Sequence, residues 1–200
     1  LLAPGETAAP GTATGKTGTP SGQGAGSAFT VTVNAVDANW NVVSTNDTVA
    51  ISSSDANASL PANAALVSGS RNFSMTLKTA GSATVTASNV THTGIAPNTT
   101  PAISVSAGLF VKLQLLVPGE SALPGSATGK SGTPTVQNAG SAFNVTVNAV
   151  DANWNLVTNV SDAVGLTASD ANATLPANAA LASGTQTFSV TLKTAGSATV

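Results

Sequence analysis

Apolar and polar side chains alternate with a period of two through most of the chain. Phe29, Val31, Val33 and Ala35 alternate with Thr30, Thr32 and Asn34, and Phe73, Met75 and Leu77 alternate with Ser74, Thr76 and Lys78. Val111, Leu113 and Leu115 repeat the pattern against Lys112 and Gln114. A period of two places one set of residues on each face of an extended strand, so every such run predicts a strand with one buried face. Branched Val and Thr dominate the runs, and Gly, Pro, Asn and Asp interrupt them at short intervals, which is the rhythm of an antiparallel sandwich. Strands are predicted near 27–36, 42–44, 47–52, 64–67, 71–78, 82–89, 102–106 and 109–117. The one helix-like stretch, Ala62–Leu66, is too short to hold a helix.

The pattern occurs twice. Leu1-Leu2-Ala3-Pro4-Gly5-Glu6 returns as Leu115-Leu116-Val117-Pro118-Gly119-Glu120, and Thr32–Asn41 returns unchanged as Thr146–Asn155. After one extra residue near Ser161, Leu60–Leu66 matches Leu175–Leu181 and Leu77–Gly81 matches Leu192–Gly196. Residues 1–85 and their counterparts are identical at 61 of 85 paired positions, so the copies have not specialised and whatever one does the other does too. The boundary is placed near Ala107-Gly108, giving repeats at 1–107 and 108–200. On this reading the first repeat lacks its first strand and the second is cut short at Val200.

Three segments carry a family resemblance: Ala28–Asn39, Ser53–Pro61 and Leu77–Ala87. They closely resemble the bacterial immunoglobulin-like repeats of large exported surface proteins and adhesins, and the likeness extends over nearly the whole chain. It implies an all-β fold of two tandem antiparallel immunoglobulin-like β-sandwich repeats, exported to the cell surface and used as a stalk or spacer. Such repeats typically carry Gly where this chain has Trp40 and Trp154, and a shorter connection where it has 4–26 and 118–140.

Composition narrows the chemistry. Charged residues are 7% of the chain and the formal net charge is −2, so there is no basic face to track phosphates and nucleic acid is not an expected partner. Cysteine and tyrosine are absent and one histidine serves 200 residues, which leaves no nucleophile, base and orienting group to assemble in both copies. An enzyme is not expected, nor is a required cofactor. No apolar run approaches the length of a membrane-spanning helix.

Local motifs each have two readings. Gly11–Thr17 and Gly125–Ser131 look like phosphate-binding loops but have three residues between the glycines where four are needed, and no helix follows. They read as solvated turns. Asp37, Asn39 and Asn41, repeated as Asp151, Asn153 and Asn155, place oxygen-bearing side chains at alternate positions, either a candidate calcium loop or a hydrogen-bonded turn. The charged residues, nearly all duplicated between copies, read as solvated turns and strand exits. A spontaneous Lys to Asn crosslink through Lys78 or Lys112 is a further reading, and eight Asn-x-Ser/Thr sequons occur, at Asn46, Asn57, Asn72, Asn89, Asn98, Asn144, Asn159 and Asn172.

A surface this neutral lacks both the repulsion that keeps proteins apart and the edge charges that block strand pairing. The expected function is therefore a structural repeat of an extracellular surface or fibre protein that provides length and associates with further copies of itself, end to end and laterally. The long segments 4–26 and 118–140 are the expected contacts, with Trp40, Trp154, Lys16 and Lys130 as contact residues. The alternative is an adhesin segment in which the Trp-bearing turns bind carbohydrate weakly and many copies supply avidity.

Overall fold

A computed structural model describes all 200 residues, Leu1–Val200. The chain is all-β, without a helix, and divides into two compact units, Leu1–Ser106 and Ala107–Val200. Unit 1 contains β1 (Glu6–Ala8), β2 (Lys16–Gly18), β3 (Gln23–Gly24), β4 (Ala28–Asn34), β5 (Thr48–Ser53) and β6 (Ala64–Ala65). It continues with β7 (Ser70–Thr76), β8 (Gly81–Ala83), β9 (Val85–Asn89), β10 (Asn98–Thr99) and β11 (Ile103–Ser106). Unit 2 contains β12 (Lys112–Leu116), β13 (Glu120–Ala122), β14 (Lys130–Gly132) and β15 (Ala142–Val150). Its last strands are β16 (Ala163–Val164), β17 (Ala179–Ala180) and β18 (Thr185–Thr191).

In unit 1, β4 pairs antiparallel with β7 while β10, β9, β5 and β6 form a second sheet and β3, β11 and β8 a third. Val31 and Val33 of β4, Phe73 and Met75 of β7, Val49 and Ile51 of β5 and Val85 and Ala87 of β9 meet in one buried cluster with Ile103 and Val105 of β11. The alternating residues thus face inward from both sides of a β-sandwich, and their branched or aromatic bulk excludes water between the sheets. In unit 2, β12, β15 and β18 form one sheet, with Val145, Val147 and Ala149 of β15 and Phe188 and Val190 of β18 at the core. Unit 2 matches unit 1 only as far as Val200, the counterpart of Val85.

Ser68-Gly69 and Ser183-Gly184 set the register of β7 and β18. Both residues of each pair have positive φ, and Val67 and Ser70 exchange backbone hydrogen bonds of 3.0 and 3.1 Å across the first turn. This is the two-residue turn whose twist suits a hairpin.

Several expectations differ from the structure. The predicted strand 42–44 is a single bridge, Val36 with Val42, and the predicted strand 82–89 breaks at Thr84. Val111 and Leu113 are exposed, whereas Gln114 is 3% exposed. The register sets Leu113 and Leu115 beside Ala149 and Val147 on the core face, where the counterparts of β9 to β11 are absent from unit 2. Gln114 is buried on the opposite face because its amide is satisfied: it donates to Gly129 O at 2.7 Å and accepts from Asn148 Nδ2 at 3.0 Å.

Several charged residues are not solvated as expected, although Asp37, Arg71, Lys130 and Asp162 are exposed. Asp47, Asp55, Asp151 and Asp170 are buried, as is the carboxylate of Glu6. Asp55 accepts from the backbone N–H of Asn57, Lys78 and Thr79 at 3.0, 2.7 and 3.0 Å and from Thr79 Oγ1 at 2.7 Å. Asp170 repeats this set with Asn172, Lys193 and Thr194. Short acidic side chains in turns are thus bracing the backbone that follows β7 and β18, a role that spacing alone does not reveal.

Candidate functional site

The features that distinguish this chain, the Trp turn and the long segment before β4, come together within each unit. Segment 4–26 is a built structure. Glu6–Ala8 pairs with Lys16–Gly18 in the hairpin of β1 and β2. Its tip is closed by Ala9 N–H donating to Gly15 O at 2.8 Å, Thr12 Oγ1 to Ala9 O at 2.7 Å and Gly15 N–H to Thr12 Oγ1 at 3.1 Å. At its base Glu6 accepts from Ala3 N–H at 2.9 Å and pairs with Lys16 at 2.8 Å. Segment 118–140 repeats the design: Leu123 N–H donates to Gly129 O at 2.6 Å, and Glu120 pairs with Lys130 at 2.8 Å. Burial pushes the Glu120 carboxyl up, but hydrogen bonds from Lys130 and Val117 outweigh it and hold the group below its ordinary range. Lys16 and Lys130, expected as contact residues, serve ion pairs inside their own hairpins.

The turn 37–41 organises itself around one carboxylate. Asp37 Oδ1 accepts from the N–H groups of Asn39 and Asn41 at 2.8 and 2.9 Å, and Asn41 Nδ2 donates to both carboxylate oxygens. Asn41, first through its side-chain amide, holds the Asp37 carboxyl below the usual range. Asp151 has the same partners in Asn153 and Asn155, and also accepts from Gly108 N–H at 2.8 Å on Oδ2. These carboxylates accept from N–H donors and so organise a hydrogen-bonded Asx turn.

The same turn forces Trp40 and Trp154 to φ of +66°, the left-handed region where Gly sits without cost. The strain is offset by where the ring goes. Trp40 lies on Gly15 and Trp154 on Gly129, and a Cβ on either glycine would run into the indole. Gly11 N–H donating to Asn39 O and Gly125 N–H to Asn153 O, both at 2.7 Å, tie hairpin tip to Trp turn. Each half-buried indole is therefore a pin that fastens its unit's long segment to the end of the sandwich.

Unit 2 adds two contacts. Lys112 Nζ stands 3.4 Å from the centre of the Trp154 ring, and Trp154 Nε1–H donates to Ala127 O at 3.3 Å. Trp154→Ala should therefore destabilise its unit more than Trp40→Ala does, by about 1 kcal/mol. Urea unfolding of the two variants checks this, and equal losses would refute it.

A further charged contact lies in unit 1. Asp47 accepts from Asn89 Nδ2 at 2.7 Å, pairs with His92 Nδ1 at 2.8 Å and accepts from Thr45 Oγ1 at 2.9 Å. In that order these partners lower its carboxyl to about 2. His92 meets Asp47 across 45 positions of sequence, a pairing that spacing alone does not reveal.

No protein-family model matches this chain, and no curated protein does. Among solved structures, it is similar to domains 5–6 of the S-layer protein SbsC, at 20% identity and a TM-score of 0.33, over 86% of this chain and 79% of that one. It is also similar to domains 4–9 of the surface layer protein SbsC, at 20% identity and a TM-score of 0.36, over 96% of this chain and 27% of that one.

Proposed function

We propose that this chain is a pair of immunoglobulin-like structural repeats from an extracellular surface or fibre protein, supplying length and cohering with further copies of itself. The observation that carries the reading is that the whole distinguishing apparatus, hairpin, ion pair, Asx turn and strained Trp, is built twice with the same partners. A device kept unchanged in successive copies suits a job that scales with copy number. Its residues brace the fold through hydrogen bonds, ion pairs and ring packing.

The surface supports cohesion. Charged residues are only 7% of the chain, and most acidic groups are turned inward to backbone N–H groups. Carbohydrate stacking has less to draw on, because each indole lies on its own hairpin and Lys112 already covers the Trp154 ring.

Sedimentation velocity of the 200-residue chain across a concentration series tests the reading. Reversible growth beyond the monomer is the expected outcome. A strict monomer at millimolar concentration removes the cohesive half of the proposal.

A further inference from the structure

The chain passes from unit 1 to unit 2 through a single unanchored residue. On the unit 1 side β11 is held along both edges: Val105 and Ser106 lie parallel to Gln23 and Gly24, and Ile103, Ser104 and Val105 lie antiparallel to Ala83, Ser82 and Gly81. The grip lasts to the last residue of that unit, since Ser106 O accepts from Ala25 N–H at 2.8 Å and Ser106 Oγ donates to Gln23 O at 3.3 Å. On the unit 2 side the grip begins at Gly108, whose N–H donates to Asp151 Oδ2 at 2.8 Å. Only Ala107 stands between these anchors in the chain. Phe110 then packs on the unit 2 core, Val111 N–H donates to Val150 O at 3.1 Å, and β12 runs on beside β15. Lys112 completes the arrangement: its Nζ donates to Ala152 O at 3.0 Å and stands 3.4 Å from the centre of the Trp154 ring.

Asp151, Ala152 and Trp154 belong to one turn, and that turn is itself fixed to the hairpin of β13 and β14 by Gly125 N–H on Asn153 O and by the indole on Gly129. It therefore fastens the hairpin on one side and the incoming connection on the other. We propose that this turn is a clasp through which unit 2 takes up tension arriving along the chain. The reach of the backbone carries the first half of the argument. One residue spans at most about 3.6 Å, so a pull loads both anchors with no slack to draw out. The placing of the two grips carries the second half. The stretch 108–111 is held at Gly108 and again at Lys112, so it cannot peel back residue by residue toward β12 until the Gly108 bond has broken. The acceptor at that point is a carboxylate, which holds an N–H more strongly than a carbonyl does, and a cation seated on an indole holds the other end. A glycine at position 154 has no ring to place under Lys112, so the clasp gives the strained Trp a second use.

The clasp rests on the reading of the chain as repeats that supply length, and it is separate from their cohesion: a strict monomer in sedimentation leaves it standing, and its own failure leaves the cohesion standing. The test is single-molecule pulling. The chain has no cysteine, so Ser104→Cys on β11 and Ser189→Cys on β18, both at exposed positions, give two unique handles on the 200-residue chain. Only residues 104–106 of unit 1 then lie in the load path. With no other change, the connection should hold until unit 2 gives way, and the molecule should lengthen in one event. Asp151→Asn keeps one oxygen for the N–H groups of Asn153 and Asn155 and sets an amide NH2 against Gly108, while Lys112→Met keeps the stem and removes the charge. In either variant a step of about 14 Å, the reach of residues 108–111, should come first. Amide exchange gives a readout without force: Gly108 N–H should be protected, and should exchange at least about tenfold faster in Asp151→Asn. Circular dichroism establishes that the variants remain folded, and Lys112→Met carries the test if Asp151→Asn does not. The same early step in the chain without these substitutions, identical traces in all three chains, or a Gly108 amide exchanging at the open-chain rate overturns the proposal.

Discussion

Gly15→Ala is expected to destabilise unit 1 by about 3 kcal/mol, whereas Gly11→Ala, four residues away on the same hairpin tip, costs about 1 kcal/mol. Both glycines are left-handed, at φ of +70° and +77°. They therefore share the penalty that an L side chain meets in that region. They differ in surroundings: a Cβ on Gly11 meets nothing, whereas one on Gly15 enters the Trp40 ring. The indole must then leave the hairpin, exposing apolar surface that was out of water and releasing a residue whose own backbone is strained. The difference between the two variants isolates the pin from the backbone effect. Urea unfolding gives the free energies, and Trp emission should shift to the red in Gly15→Ala only. Equal losses in both variants would mean that the indole contact contributes nothing.

Asp55→Ala is the second large effect. The substitution removes one carboxylate that accepts four hydrogen bonds and leaves the Lys78 and Thr79 N–H groups without an acceptor. Hydrogen bonds to a charged group are among the stronger ones, and stranding buried donors adds to the loss, so about 3 kcal/mol is expected. The same group sets the acid limit. Burial raises the Asp55 carboxyl, but hydrogen bonds from Thr79, Lys78 and Asn57 together outweigh it and leave the group lowered. Backbone hydrogen bonds from Thr194 and Lys193 chiefly hold Asp170 down to about 2, beside Asp47 at about 2. A lowered carboxyl contributes stability above its unfolded value, near about 4, and loses it as pH falls through its folded value. Melting temperature should therefore be level from pH 7 to about 4 and fall steeply from there toward 2. Asp55→Ala should show a shallower fall. An unchanged acid profile would remove Asp55 from this account.

The strands were legible where burial enforces alternation. Phe29 to Val33 and Phe73 to Leu77 face a core on one side only, and there the period of two appears in the residues themselves. The hairpin in 4–26 was not legible, because its strands are three residues long and carry no apolar alternation. It is held by Glu6 with Lys16 and by an indole more than twenty residues away. Gln114 misleads for a related reason: a polar residue signals exposure unless its partners are known, and Gly129 and Asn148 are distant in sequence. The Trp turn was half legible. The resemblance, which puts Gly at that position, implies a left-handed backbone, but only the fold shows that Gly15 and Gly129 yield the space the ring needs.

The inward use of charge governs how the molecule meets its surroundings. Glu6 with Lys16 and Glu120 with Lys130 are matched as ion pairs, and Asp55 and Asp170 face the peptide N–H groups they hold. Little field is left to extend a Debye length into the solvent, so dissolved ions have little to screen. Such a fold should hold nearly the same stability in fresh water and in brine.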